Sequence, residues 1–313
     1  MGKPVHVATM TEGPLVSVII PSHNRAVLLP RAVESVLAQT YSNLEVIIVD
    51  DASSDSTPAV MADLVKRDPR VRYFRHETNR YASAARNTGI ASARGELIAF
   101  LDDDDEWLPE KLAKQVPVML SASPEVGMVY CWMDYYDGRG NIVSETHPTL
   151  KGWVFGQMLD RPRIGGCPTL LVRREVVEVV GGFDEDLPRG NDGDFMRRVA
   201  LQYAVDLVPE VLVRVNVDHG HQRISDHTEN GVRNALKSQE VKLVKFKDEL
   251  RRYPKQKAII YANIAHHHGQ LGQWRIAFHW FARAVVGAPT ALEIYRLLLH
   301  GLRRNLFKRR NLA

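Results

Sequence analysis

The stretch that decides the fold is Phe100-Leu101-Asp102-Asp103-Asp104-Asp105-Glu106-Trp107. An apolar run, Leu97-Ile98-Ala99-Phe100-Leu101, stops at four consecutive carboxylates. The apolar run reads as a buried strand. The carboxylates then sit at its carboxyl end, where open α/β sheets bind ligands. Four adjacent Asp side chains repel one another unless a cation is present. Hard oxygen ligands suit Mg²⁺ or Mn²⁺, and Mg²⁺ is commonly held by one or two carboxylates plus substrate phosphates. The plainer alternative is a solvated acidic loop that caps a helix from Pro109. The elements upstream of the run favour the first reading.

Val16-Ser17-Val18-Ile19-Ile20 is β-branched and reads as the first strand, ended by Pro21. Ser22-His23-Asn24 offers caps for a following helix, in which Leu28, Leu29, Ala32, Val33, Val36 and Leu37 recur at helical spacing. Leu44 to Val49 is a second run, apolar at every position but Glu45, as expected of a parallel strand buried on both faces. It ends at Asp50-Asp51, and a helix through Val60, Leu64 and Val65 follows. Val71 to Phe74 is a third strand, and a helix through Ala82, Ala85 and Ile90 leads to the fourth, which carries the Asp run. Strand and helix thus alternate four times, which predicts right-handed βαβ units in a doubly wound sheet.

Beyond Pro109 the pattern changes. A helix is expected over about 109–121, a strand over Gly127 to Met133 and a turn at Asp137 to Asn141. Residues 141–190 read as irregular, with a short strand at Thr169–Val172, as an acceptor-facing region built of loops would be. Asn191-Asp192-Gly193-Asp194 opens a helix, and two short strands are expected near 205–208 and 211–217. From about 228 helices dominate. Tyr261–Leu271 and Trp274–Val286 read as a helix pair joined at Gly272 and packed as an extension. His266-His267-His268 does not read as a metal site, because adjacent helical residues point in different directions.

The chain has 313 residues, and 45% of them are hydrophobic. Its formal net charge of +4 is too small to imply nucleic acid. Cys131 and Cys167 give neither a disulfide framework nor metal-ligand spacing. Met1 to Gly13 is polar and lacks the apolar core of a signal peptide, and no stretch approaches the ~20 apolar residues of a membrane span. A cytoplasmic protein is expected, peripheral on the inner face of the plasma membrane if the tail docks there. That tail, residues 296–310, interleaves Arg296, Arg303, Arg304, Lys308, Arg309 and Arg310 with leucines and Phe307, a pattern suited to an anionic bilayer.

Taken together, Val16 to Arg25, Val49 to Asp55, Asn79 to Asn87, the Asp run, Gly181-Gly182-Phe183-Asp184-Glu185 and Asn191-Asp192 resemble a family 2 glycosyltransferase. The resemblance implies the GT-A fold: α/β, Rossmann-like, with a mostly parallel sheet flanked by helices. It implies a domain over 14–227, preceded by a flexible 1–13 and followed by a helical region over 228–313. It also implies inverting transfer from a nucleotide-diphosphate sugar, UDP-linked, to a glycan or lipid-linked acceptor in cell-surface glycan assembly, with Mg²⁺ or Mn²⁺.

The implied site can be assigned residue by residue. Asp102-Asp103-Asp104 resembles the family's Asp-x-Asp motif, with Asp102 and Asp104 as metal ligands; the register Asp103-Asp104-Asp105 fits as well. Asp51 resembles the base-binding Asp; its alternative is a helix cap, a role for which Asp55 is better placed. Pro21, His23 and Arg25 accompany the nucleotide, and Arg80 or Arg86 approaches the base or diphosphate unless they form surface ion pairs. Gly181, Gly182, Phe183 and Asp184 resemble the segment beside the donor sugar and acceptor. Trp107 and Trp153 suit either sugar stacking or the core. His219, His221 and Arg223 lie where relatives close a loop over the diphosphate. Asp192 matches the catalytic base, with Asp194 as rival.

The chain departs from the pattern at Asn191, where many relatives carry Glu. It also lacks the Gln-x-x-Arg-Trp motif of processive synthases. A sugar nucleotidylyltransferase would carry a Gly-rich loop after the first strand, where this chain has Pro21-Ser22-His23-Asn24-Arg25. A degenerate domain serving as a scaffold would have no need of Asp51, Asp104 and Asp192.

Overall fold

A computed structural model of the chain describes residues 13–217 and 228–297. The lead-in before Gly13, the segment holding His219, His221 and Arg223, and the basic tail beyond Leu297 lie outside the described residues. The chain divides into two compact units. The first takes in residues 1–154, 162–185 and 195–220, and the second 155–161, 186–194 and 221–313.

The first unit is built on β1 (Val16–Ser22), every residue of which is buried. The alternation then runs α1 (Leu29–Leu37), β2 (Leu44–Asp50), α2 (Thr57–Arg67), β3 (Val71–Arg75), α3 (Tyr81–Ser92) and β4 (Leu97–Phe100). β1 lies between β2 and β4 and is parallel to both, with Val16 opposite Leu44 on one side and Leu97 on the other. A strand buried on both faces is apolar almost throughout, which explains its lack of alternation, and the one polar side chain between Val16 and Pro21, Ser17, donates to Glu45 Oε1 of β2 at 2.7 Å. Its two faces bury different helices. Val16, Val18 and Ile20 join Val33 and Val36 of α1 in the main core. On the other face Gly89 brings α3 so close that a Cβ there would lie 2.4 Å from Ile19.

The chain continues through β5 (Glu106–Trp107), α4 (Lys111–Ser121), β6 (Val126–Tyr136), β7 (Ile142–Thr146), α5 (Phe155–Met158), β8 (Leu171–Arg173), α6 (Arg174–Val180), α7 (Asn191–Gln202) and β9 (Ala204–Asn216). The strands form one nine-stranded sheet among the described residues, in the order β3-β2-β1-β4-β8-β6-β9-β5, with β7 on the edge of β6. β1, β2, β3 and β4 are mutually parallel, β8 is antiparallel to its neighbours, and β6 runs parallel to β9. The chain order reverses at β1, so a crevice opens at the carboxyl ends of β1, β2 and β4.

Several local expectations are corrected. Ser22, His23 and Asn24 do not cap α1, which opens at Leu29. Instead β1 extends to pair Ser22 with Asp50, and Asn24 turns left-handed (φ 54°). Its Oδ1 accepts the N–H groups of Ser54 and Asp55. The two strands expected near 205–208 and 211–217 are one strand, β9, because parallel pairing with β6 carries it through three register shifts. The span 141–190 is less irregular than its composition suggests, since β7, α5, β8 and α6 all fall within it.

In the second unit α8 (Glu229–Lys245) is capped by Thr228, whose Oγ1 accepts the Gly231 N–H at 3.1 Å. α9 (Pro254–Gln270) and α10 (Trp274–Gly287) are joined through Gly272, which holds φ +74°. They bury Ala258, Ile259, Tyr261, Ala262 and Ala284 between them. His267 and His268 hydrogen-bond Gln270 and Gln273 of the same segment. No helix among the described residues is long and apolar enough to cross a membrane.

Candidate active site

At the end of β2 two adjacent carboxylates face different surroundings, because successive strand residues point to opposite sides. Asp50 is fully engaged: its Oδ1 accepts the Ser53 N–H at 2.8 Å, Tyr73 donates its hydroxyl to Oδ2, and Arg75 stands 3.5 Å away. Burial and this Asp50 carboxylate push the Tyr73 hydroxyl pKa far up. Asp51 is different. Its Oδ1 takes the backbone N–H of Arg80 at 2.8 Å and Nδ1 of His76 at 2.7 Å. Its backbone carbonyl meets His23 Nδ1 at 2.7 Å. Asp55, not Asp51, accepts from the first turn of α2, through Thr57 N–H at 2.9 Å.

Three non-glycine residues among those described hold positive φ: Asn24 (54°), Ala52 (59°) and Tyr81 (68°). All three surround this crevice. Strain of order 1–3 kcal/mol per residue persists only where the surroundings enforce it, and it gathers at functional sites. Tyr81 is 78% exposed, so packing does not explain it.

The Asp run forms a turn, with the Asp105 N–H donating to the Asp102 carbonyl at 3.1 Å. Asp102 receives Arg86 Nη2 at 2.6 Å, and Asp103 lies 3.6 Å from Arg25 Nε. Asp104 is anchored by its backbone carbonyl, which accepts from Arg31 and from Asn216 Nδ2, both at 3.0 Å. Asp105 is buried and its Oδ1 accepts the Asn216 N–H at 3.2 Å. Asp105 is thus drawn inward as an acceptor, while Asp102, Asp103 and Asp104 are each partly exposed. The Asp103 carboxyl is pushed up to about 7, first by burial and then by its Asp104 and Asp102 neighbours, against the pull of Arg25. Burial, more than charge, sets that rise, and the neighbouring Asp104 and Asp102 carboxylates add to it. A hard divalent cation with phosphate oxygens would fit that donor set. Among the described residues no three His, Cys, Asp or Glu side chains converge on a ready-made metal position.

The segment Gly181–Glu185 is pinned to α3. Asn87 Oδ1 accepts the Phe183 N–H at 2.7 Å, and Asn87 Nδ2 donates to Phe183 O and Glu185 Oε1, both at 2.8 Å. Arg198 donates to the carbonyls of Val180, Gly181 and Gly182. The close approach that Gly182 permits is by Asn87, whose Oδ1 would lie 2.2 Å from an added Cβ. Gly181 (φ +79°) ends α6. Phe183 is buried, stacked on Phe195 at 4.8 Å with Arg86 over its ring at 5.2 Å. Asp184 is partly exposed.

Two expectations about individual side chains are corrected here. Trp107 does not face a sugar: it is 3% exposed, its indole N–H donates to Pro168 O at 2.9 Å, and Lys111 Nζ lies 3.9 Å over its ring. Arg80 turns its guanidinium to Glu185 at 3.3 Å and contributes its backbone N–H, not its charge, to Asp51. Pro21 is buried within β1, where it pairs with Val49, and His23 is exposed. In the second unit Asp192 lies in the first turn of α7 and is partly exposed. Asp194 is buried and gripped by Lys245 Nζ at 2.9 and 3.0 Å. His76, Asn87 and Tyr81 were not singled out by the sequence reading. Their only signal there was position, close to or within the Asn79–Asn87 motif.

Known proteins share this fold and much of this sequence. The model of the family described as Glycosyl transferase family 2 matches residues 17–177. A relative from Escherichia coli (strain K12), named as a colanic acid biosynthesis glycosyl transferase, WcaA, is 32% identical over 221 residues, covering 69% of this chain and 77% of that protein. An uncharacterized glycosyltransferase of Rickettsia felis is 30% identical over 223 residues, which is 69% of this chain. The chain spans only 32–36% of the length of that protein and two other rickettsial relatives. Among solved structures, S. aureus TarS 1–349 in complex with UDP-GlcNAc superposes with a TM-score of 0.64 at 18% identity, covering 90% of this chain and 91% of that one. The mannosyltransferase PcManGT from Pyrobaculum calidifontis, in complex with GDP-Man and Mn²⁺, does so with 0.59 at 22%, covering 95% and 81%. The fold is GT-A, and the chain belongs to glycosyl transferase family 2.

Proposed function

We propose that this chain moves a sugar, with inversion, from a UDP-linked donor to a hydroxyl of a glycan or lipid-linked acceptor in cell-surface glycan assembly. The observation that carries the reading is the pairing at one sheet edge of Asp51, beside the strained loops, with the carboxylate turn bracketed by Arg25 and Arg86. Asp51 would accept the base N–H, while Pro21 and His23 flank it. Arg25 and Arg86 hold the turn and approach the diphosphate. Asp102 and Asp104 would hold Mg²⁺ or Mn²⁺, which stabilises the charge on a departing diphosphate. The acceptor oxygen attacks the anomeric carbon as the bond to the diphosphate breaks, the bonding pair leaving with the diphosphate. The hydroxyl proton passes to a carboxylate within hydrogen-bond reach.

That base is assigned to Asp192. Its rival Asp194 is already committed: its buried carboxylate is held by the Lys245 ammonium, and loss of that partner would leave a buried charge uncompensated. Asp192→Asn leaves a first-turn residue that caps about as well as Asp. The variant should fold and bind donor, yet release nucleoside diphosphate at least ~10²-fold more slowly in the presence of acceptor. Near-normal transfer by Asp192→Asn would remove the assignment. Binding of every donor tested without any turnover would favour a scaffold. The WcaA relative's name supports the glycan-assembly setting. Residues 296–310 are proposed to dock on an anionic bilayer; equal liposome co-sedimentation after deleting residues 296–313 would count against this.

A further inference from the structure

Asp51 offers its two carboxylate oxygens unequally. An ionised carboxylate only accepts, so His76 Nδ1 must carry the proton it gives to Oδ1. Thr88 fits that tautomer on the other side, its Oγ1 lying 2.9 Å from His76 Nε2 where the hydroxyl can donate. The second lone pair of Oδ1 is taken by the Arg80 N–H at 2.8 Å. Both acceptor positions of Oδ1 are therefore filled by protein donors. Both donors are held firmly: His76 is sandwiched between Asp51 and α3, and the Arg80 amide sits just before the strained Tyr81. Among the described residues nothing fills Oδ2, whereas Asp50 next door is bonded at both oxygens.

We infer that His76 is a positioning residue that sets base selectivity by leaving Asp51 a single accepting oxygen. The inference rests on the donor site proposed above and narrows it. One oxygen matches a base with one ring N–H between two carbonyls, as in uracil or thymine. Guanine presents a ring N–H and an amino group side by side and needs two acceptors; one of its donors would face the saturated Oδ1 and stay unpaired. Cytosine and adenine present a ring acceptor at the equivalent edge, which a carboxylate repels.

The test is direct binding of UDP, dTDP, GDP, CDP and ADP to the full chain with Mn²⁺, by calorimetry. UDP and dTDP should bind at least ~10-fold more tightly than GDP, the discrimination expected when a donor is left unpaired in a closed site. CDP and ADP should bind more weakly still. His76→Ala frees Oδ1, and the UDP-to-GDP ratio should shrink to within about three-fold. His76→Asn can place an amide N–H near the Nδ1 position and should keep the ratio. A residue that only stabilised the fold would lower thermal stability without changing the ratio. GDP binding as tightly as UDP to the wild type would overturn the inference, as would a ratio unmoved by His76→Ala. If no nucleoside diphosphate binds, the donor-site reading itself falls, and this inference with it.

Discussion

Lys111 should make the stability of this protein rise with pH. It is fully buried in α4, and its Nζ donates to Gln115 Oε1 at 2.7 Å. Its other contact is the face of Trp107, and among the described residues no carboxylate pairs with it. Burial pushes its ammonium down to about 8 from 10.5. The unfolded chain therefore keeps the proton up to about pH 10.5, while the folded chain gives it up near 8. Between those values the unfolded state binds more protons, so stability rises with pH. Below pH 8 the cost is fully present, and above 10.5 it is gone. At about 1.4 kcal/mol per pKa unit the whole window spans about 3 kcal/mol, of which about 2 falls between pH 7.5 and pH 10. The cation–π contact with Trp107 opposes this and brings the expected rise toward the lower end. Lys111→Met keeps the volume and removes the titration. Its unpaired Gln115 oxygen shifts stability by an amount that does not depend on pH. Urea unfolding at about pH 7.5 and pH 10, with Cys131→Ala in both proteins because Lys111 pulls on the buried Cys131 thiol, gives the difference, in which the titrations of groups that do not interact with Lys111 cancel. The protein that keeps Lys111 should gain about 1–2 kcal/mol more than Lys111→Met over that interval. Parallel pH profiles within about 0.5 kcal/mol would refute the reasoning, because they would mean that this lysine does not titrate differently on folding.

Three further outcomes are expected. Asp104→Asn, or the wild type in excess EDTA, should lose most sugar transfer; full turnover in either case would remove Asp104 from the metal assignment. Gly182→Ala forces a methyl group into Asn87 Oδ1 and should destabilise by about 1–3 kcal/mol, read as a lowered melting temperature, whereas an unchanged value would show that Asn87 yields freely. Tyr81→Gly should be more stable than Tyr81→Ala by about 1 kcal/mol, since alanine keeps the strain of positive φ and glycine does not. The reverse order in thermal melts would show that the left-handed turn is not strained.

What the sequence by itself determined was the alternation and its punctuation. β-branched apolar runs declared β1 and β2 because a strand buried on both faces is apolar at nearly every step, Ser17 and Glu45 being exceptions that hydrogen-bond each other. Asp51 and the Asp run were placed at strand ends because those runs stop there, a purely local fact. The tertiary structure decided which carboxylate does what. Asp50 and Asp51 are equivalent on paper, yet Tyr73 and Arg75 saturate one, while His76 and the Arg80 amide take a single oxygen of the other. Asp105 turns inward where Asn216, 111 positions along, presents its N–H. Trp107 reads equally well as a stacking platform or a core residue until Pro168 and Lys111 close over it. Gly182 reads as room for a ligand until Asn87 fills that room. In each case the deciding partner is brought in by sheet order and helix packing from a distant part of the chain. Local pattern carries no record of it, because hydrogen-bond saturation and burial depend on neighbours in space.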